Sequence, residues 1–263
     1  MNLEQIQFEI RDGVGLITLN RPERMNAWTY RMSDELTHII EQCNNDPQVG
    51  AMVLTGAGRG FCAGADIQDA FNSRLEGEAT DTDRRNRRDW IELVRGAKPL
   101  IAAVNGASIG VGATMILPFD VIFASENARF SMGFIKMGLV PELASSHFLV
   151  QRMGFGRASE MCLTGRLYSA AQAHEMGLVD HLVQPEELID EALALGREMG
   201  ANPSRQLRWV KELLTQNGSE TDLDAVQRRE LERLNEAYET PEHKEAVAAF
   251  LEKRTPNFRN PGA

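Results

Sequence analysis

A chain of 263 residues, 43% hydrophobic and 25% charged, is long enough for one large domain or for a core with a small appendage, and has the composition of an ordinary globular protein. Its formal net charge of -10 argues against general nucleic-acid binding, which needs a basic face, but leaves room for a local basic patch toward a phosphate-bearing ligand. No run approaches the ~20 apolar residues of a membrane span. The three cysteines Cys43, Cys62 and Cys162 form no Cys-x-x-Cys pair and suggest no disulfide framework. The opening Met1-Asn2-Leu3-Glu4-Gln5 lacks the basic-then-apolar pattern of a signal peptide, so a cytoplasmic location is expected, the alternative being an organelle protein whose targeting segment is not in this sequence.

Gln5 to Ile10 and Val14 to Leu19 read as two strands joined at Asp12-Gly13, a strong hairpin signal, with Asn20-Arg21-Pro22 ending the second. Thr29 to Cys43 places Met32, Leu36, Ile39, Ile40 and Cys43 on one helical face. Val49 to Thr55 reads as a buried strand, and a second helical stretch begins near Asp66. From Phe71 to Trp90 the chain is rich in charge and poor in apolar residues, either a solvated connection or a flap whose arginines meet ligand phosphates. Pro99 to Val104, Val121 to Ala124 and Ala128 to Met132 follow as strands. Helices are expected at Ala113 to Leu117, Leu143 to Met153 and Arg157 to Leu163, and Ser169 is placed to cap Ala170 to Met176. Strands alternate with helices to about Gln184, which predicts an α/β fold. After Pro185 only helical periodicity remains, at Glu187 to Met199, Ser204 to Leu214, Leu223 to Ala237 and Pro241 to Arg254. The division expected is a core over 1–200 and a helical, oligomerising region over 201–263.

Two segments stand out, each after a strand and before a helix: Phe61-Cys62-Ala63-Gly64-Ala65-Asp66 and Asn105-Gly106-Ala107-Ser108-Ile109-Gly110-Val111-Gly112-Ala113-Thr114. Together, with Asn20-Arg21-Pro22-Glu23-Arg24-Met25-Asn26-Ala27 near the start and Ala249-Phe250-Leu251-Glu252-Lys253-Arg254 near the end, they resemble the crotonase, or enoyl-CoA hydratase/isomerase, superfamily. The resemblance implies a spiral of ββα units with a helical C-terminal region, acyl-CoA thioester substrates, and a homotrimer or dimer of trimers. Coenzyme A then enters as part of the substrate and no separate cofactor is expected. No Rossmann or Walker signature exists, and the scattered histidines show no metal-ligand spacing.

By the same resemblance, the amides of Ala65 and Val111 would hold the thioester oxygen as it becomes an enolate, since N–H groups at helix starts are unpaired and lie at the positive end of the dipole. Valine at 111 departs from the glycine of many relatives. Ala63, Gly64, Asp66, Ile67 and Gln68 fall in the stretch that lines the CoA groove, with Gly110 giving the backbone room and Asp66 also suited to start a helix. Arg24 falls near the nucleotide end, Ala27 beside it is also expected to bind substrate, and Phe250 and Lys253 match residues that reach the CoA of an adjacent subunit.

The two glutamates of a hydratase are replaced here by Thr114 and Phe134, while Glu142 in Leu139-Val140-Pro141-Glu142 falls where double-bond isomerases carry their base. The resemblance therefore implies Δ3,Δ2-enoyl-CoA isomerisation, with hydration or another thioester reaction as the alternative and a non-catalytic acyl-CoA-binding trimer as the alternative of another class. Local sequence alone favours a first-turn helix glutamate at 142, and it is the resemblance that reverses that reading. Phe134, Met132, Met137, Ile109 and Phe71 are expected either to form an apolar pocket that lifts the Glu142 carboxyl toward neutral pH or to be plain core. Cys62 is expected to be a buried packing thiol.

Overall fold

The computed structural model describes residues 1–67 and 89–259. Asp12 and Gly13 both take positive φ, 50° and 79°, and close β1 (Ile6–Arg11) antiparallel on β2 (Val14–Leu19). The remaining strands of this sheet, β3 (Ala51–Gly56), β5 (Leu100–Val104), β7 (Val121–Ser125) and β10 (His181–Val183), run parallel from β2, giving the order β1-β2-β3-β5-β7-β10.

Three of these strands turn directly into a short strand of a second sheet. β3 leads to β4 (Gly60–Cys62), β5 to β6 (Ala107–Ile109) and β7 to β8 (Arg129–Ser131), and β9 (Tyr168–Ser169) completes the order β4-β6-β8-β9. Each short strand then enters a helix or helical turn, so the chain winds as repeated ββα units. Where β4 and β6 give way to helix, the amides of two successive turns are left without intrahelical partners.

The first sheet is covered on both faces, which explains its near-continuous apolar runs. Alternate residues separate the two sides. Ile17 and Leu19 of β2, with Met52 and Leu54 of β3, join a large core under α1 (Tyr30–Asn45), whereas Val14, Leu16, Val53, Ile101 and Phe123 pack with Leu188, Ala192 and Leu193 of α7 (Leu188–Gly200). Thr29 caps α1 by accepting from the Met32 amide at 3.0 Å. Ser169 and Gln172 form a capping box on α6 (Ala170–Met176), which follows α5 (Phe155–Thr164).

Three helices follow α7: α8 (Ser204–Asn217), α9 (Leu223–Tyr238) and α10 (Pro241–Glu252). α8 packs on α2 (Trp90–Arg95) through a buried lysine, Lys211. Its ammonium donates to the carbonyls of Val94 and Lys98 and pairs with Asp120 at 2.8 Å. Among the described residues no helix is long and apolar enough to cross a membrane.

Several boundaries differ from expectation. α3 covers only Val111–Thr114, because Gly110 starts it and the chain turns after one helical turn. The helix expected from Leu143 begins at Ser145, as α4 (Ser145–Met153), because Leu143 and Ala144 hold left-handed φ of 56° and 53°. Asp89 caps α2 by accepting from the Ile91 and Glu92 amides, so the end of the charged 71–90 stretch is helix start rather than connection. The rest of that stretch, with its expected flap role, lies outside the described residues.

Candidate active site

The first of the two distinctive turns leaves β4 at Cys62. Gly64 turns at a φ of 109°, which glycine alone adopts without strain. Ala65 is then clasped by Trp28: the Trp28 amide donates to the Gly64 carbonyl and the Asp66 amide to the Trp28 carbonyl, both at 2.8 Å. In such a parallel bridge the Ala65 N–H faces the other way, and it takes no acceptor among the described residues. Ala63 is exposed, with its amide on the Met25 carbonyl.

The support under this turn comes from the Asn20-to-Ala27 segment. Arg21 donates to the Ala27 carbonyl at 2.7 Å and pairs with the Asp66 carboxylate at 3.0 Å, both side chains largely buried. Asn26, fully buried at a φ of 55°, accepts from the Arg21 amide and donates to the carbonyls of Ala57 and Gly60. Asp66, expected to start a helix, does precede a helical residue at Ile67, but its carboxylate is also engaged by Arg21.

The second turn leaves β6 at Ile109. Gly110, at φ 55° and ψ -121°, donates its amide to the Ser131 carbonyl at 2.9 Å and begins α3. Val111 is the first helical residue, where valine fits, and its N–H has no acceptor among the described residues. The two turns touch. A Cβ on Gly64 would lie 3.4 Å from the Ile109 carbonyl, and one on Gly112 only 2.2 Å from the Cys62 carbonyl.

Glu142 arrives from a third segment. Its carboxylate oxygen Oε1 lies 2.5 Å from the hydroxyl of Thr114, the last residue of α3, and its carbonyl accepts from the Ser145 amide at 3.1 Å. Two amides at helix starts with no acceptor among the described residues, and a carboxylate bonded to the far end of the turn that one of them begins, are groups of the kind that enolate chemistry on a thioester uses.

The expected apolar pocket is only partly found. Met132 is fully buried, and Phe134 and Ile109 are half-buried, with Phe134 3.9 Å from where a Gly110 Cβ would stand. Glu142 and Met137 are exposed and Phe71 lies outside the described residues, so the described part of the wall does not enclose the carboxylate. Cys62 is buried, and burial pushes its thiol up to about 12, which fits a packing role.

The outlying residues are not drawn together in one chain. Arg24 is exposed at the end of a 3-10 turn, Ala27 is half-buried, and Ile67 is 62% exposed. Gln68 lies outside the described residues. Phe250 is 82% exposed on α10, and Lys253 is its left-handed C-cap. Among the described residues no group of three His, Cys, Asp or Glu side chains is placed to hold a metal ion.

Three contributors escape a sequence reading. Arg21 and Asn26 pass as members of a surface turn, and Thr114 as a missing glutamate. The one available signal is Asn26: a small polar residue two after Arg24 suits a left-handed turn that only a side-chain network can bury.

The family model described as enoyl-CoA hydratase/isomerase matches residues 9–261. The chain is 38% identical to the 1,2-epoxyphenylacetyl-CoA isomerase of Escherichia coli (strain K12), over 97% of this chain and 98% of that protein. It is 35% identical to the 2,3-dehydroadipyl-CoA hydratase of the same strain, over 93% of this chain and 94% of that protein. The crystal structure of an enoyl-CoA hydratase from Bacillus anthracis superposes with a TM-score of 0.87 at 30% identity, covering 97% of this chain and 99% of that one. End-to-end matches of this kind, on a fold whose two distinctive turns touch, mean that the chain belongs to the enoyl-CoA hydratase/isomerase family, the crotonase superfamily.

Proposed function

We propose that this protein is a Δ3,Δ2-enoyl-CoA isomerase in which Glu142 is the single base and the amides of Ala65 and Val111 form the oxyanion hole. The observation that carries this reading is the Glu142 carboxylate 2.5 Å from Thr114, on the same helical turn that begins with Val111. Glu142 takes a proton from C2 of a 3-enoyl-CoA. The C–H electron pair moves into the C1–C2 bond and the thioester oxygen becomes the enolate held by the two amides. The proton then returns at C4, the double bond settles between C2 and C3, and the carboxylate is restored. Hydration must hold a water and also protonate C2, which takes two acid–base groups, and neither Thr114 nor Phe134 supplies a second.

CoA is proposed to lie along Ala63, Gly64, Asp66, Ile67 and Gln68, with Ala27 also in contact and Arg24 toward its nucleotide end. Phe250 and Lys253 reach it from a neighbouring subunit of a homotrimer or dimer of trimers, built through the helices of 201–263. The exposed apolar side chains of Phe250 and Leu251 support that assembly, which light scattering tests as a mass three or six times 29.3 kDa.

A second reading, isomerisation of a ring-epoxide acyl-CoA, is favoured by the 38% identity to the 1,2-epoxyphenylacetyl-CoA isomerase. The same experiment separates the readings: wild type and Glu142→Gln are given a 3-enoyl-CoA, a 2-enoyl-CoA with water, and an epoxyphenylacetyl-CoA. Conjugation of the first substrate, lowered about 10²-fold or more in the variant, supports the single-base isomerase. Fast hydration, turnover of the epoxide alone, or indifference to the substitution overturns it, and binding without any turnover points to a non-catalytic acyl-CoA binder.

A further inference from the structure

Thr114 is fully buried at the end of α3, its amide fixed on the Gly110 carbonyl at 2.9 Å. Its hydroxyl lies 2.5 Å from Glu142 Oε1 and 3.4 Å from the Val111 carbonyl. A threonine hydroxyl has one proton to give. The Val111 carbonyl already accepts from the Met115 amide at 3.0 Å. A separation of 3.4 Å is long for a hydroxyl bond, whereas 2.5 Å is the length of a hydroxyl bound to a carboxylate. The proton therefore points to Glu142.

α3 thus begins with the Val111 amide and ends with the group that touches Glu142. The spacing between amide and carboxylate is set by one short helical turn, held at Gly110 and Ser131. Glu142 comes from outside this turn. It is exposed, and it precedes two left-handed residues rather than standing in a helix.

We infer that Thr114 is a positioning residue, whose hydroxyl holds the Glu142 carboxylate in register with the oxyanion amides for proton transfer. The inference rests on the reading of Glu142 as the base. Thr114 gives up no proton to substrate. It fixes the rotamer of the group that does the transfer, so its removal lowers the rate of C–H cleavage rather than thioester binding.

The test compares wild type, Thr114→Val, Thr114→Ser, Glu142→Gln and the Thr114→Val/Glu142→Gln double variant. One readout is 3-enoyl-CoA turnover. The other is exchange of the C2 protons of a saturated acyl-CoA for deuterium in D2O, which needs a base and an oxyanion hole but no double bond. Valine keeps the shape of threonine without its hydroxyl, and melting curves check that each variant folds. Thr114→Val is expected to lower kcat and exchange by about 10- to 100-fold with KM within about threefold, and Thr114→Ser to restore most of the rate. The double variant should be no slower than Glu142→Gln alone. If Glu142→Gln loses exchange while Thr114→Val keeps it, the positioning role is overturned and the base stands. Should Thr114→Val fail to fold, a Thr114→Ser variant that folds but is as slow as Thr114→Ala overturns the role equally. Exchange indifferent to Glu142→Gln overturns both the base and the positioning role.

Discussion

Gly112 backs onto Cys62 so closely that a Cβ there would stand 2.2 Å from the Cys62 carbonyl oxygen and 2.8 Å from its Cβ. This contact presses the start of α3 against the end of β4 and so sets the separation of the Ala65 and Val111 amides. A backbone carbonyl has no rotamer by which to yield.

Gly112→Ala is therefore expected to force the two turns apart. The overlap costs about 1–3 kcal/mol of stability, and with these amides as the proposed oxyanion donors their displacement is expected to lower kcat/KM by about 10²-fold for whichever thioester the enzyme turns over. Urea unfolding and steady-state kinetics check both. A variant of wild-type stability and kcat/KM would mean that the contact does not set the geometry.

The loop that delivers Glu142 is strained in a way that can be relieved. Leu143 and Ala144 are consecutive left-handed residues with side chains, a conformation that costs about 1–2 kcal/mol per residue without glycine. Ala144 is exposed, so Ala144→Gly loses little packing. It is expected to stabilise the protein by about 0.5–1 kcal/mol, the gain being offset in part by the freer unfolded chain. Ser146→Gly, two residues on in α4, is expected to destabilise by a similar amount, since its backbone is helical. Melting temperatures moving in opposite directions would confirm the contrast, and a drop in both would refute it.

Much of the fold was legible in the sequence because its signals are local. The Asp12-Gly13 hairpin, the Thr29 and Ser169 caps and the amphipathic face of α1 each reside within a few residues. The short strands β4 and β6 are not legible, since three residues are too few to show alternation. At the site, the positions of Ala65, Val111 and Glu142 can be marked along the chain; the structure brings the two turns into contact and sets Glu142 on Thr114. What could not be read was the means of these contacts. The Arg21–Asp66 pair spans 45 residues and the Thr114–Glu142 contact 28, and no local pattern specifies either. The onset of α4 was misplaced because Leu143 and Ala144 are ordinary helix formers locally. Their left-handed backbone is imposed by the surrounding structure.

Glu35 ties the N-terminal strand to α1 and gives the fold a dependence on acid. Its carboxylate is fully buried and accepts the amides of Glu4, Gln5 and Ile6 at 2.9–3.0 Å, as well as the Arg31 guanidinium at 2.5 Å. Burial pushes its pKa up, but the backbone donors and Arg31 together outweigh that and hold it below the usual glutamate value. A carboxyl depressed in the folded state binds its proton more readily when unfolded. Its contribution is therefore complete above the unfolded value, about 4.3, and is lost as pH falls through the lower folded value. Glu35→Gln, which cannot be charged and turns an amide N–H2 toward donors, is expected to lose about 1–3 kcal/mol at pH 7. Because the wild type forfeits its carboxylate in acid and the variant has none to lose, the gap should narrow below about pH 4. Urea midpoints of the two proteins from pH 7 down to pH 3 measure it. A gap that stays constant or widens in acid would show that the ionised carboxylate is not what holds Glu4, Gln5 and Ile6 to the helix.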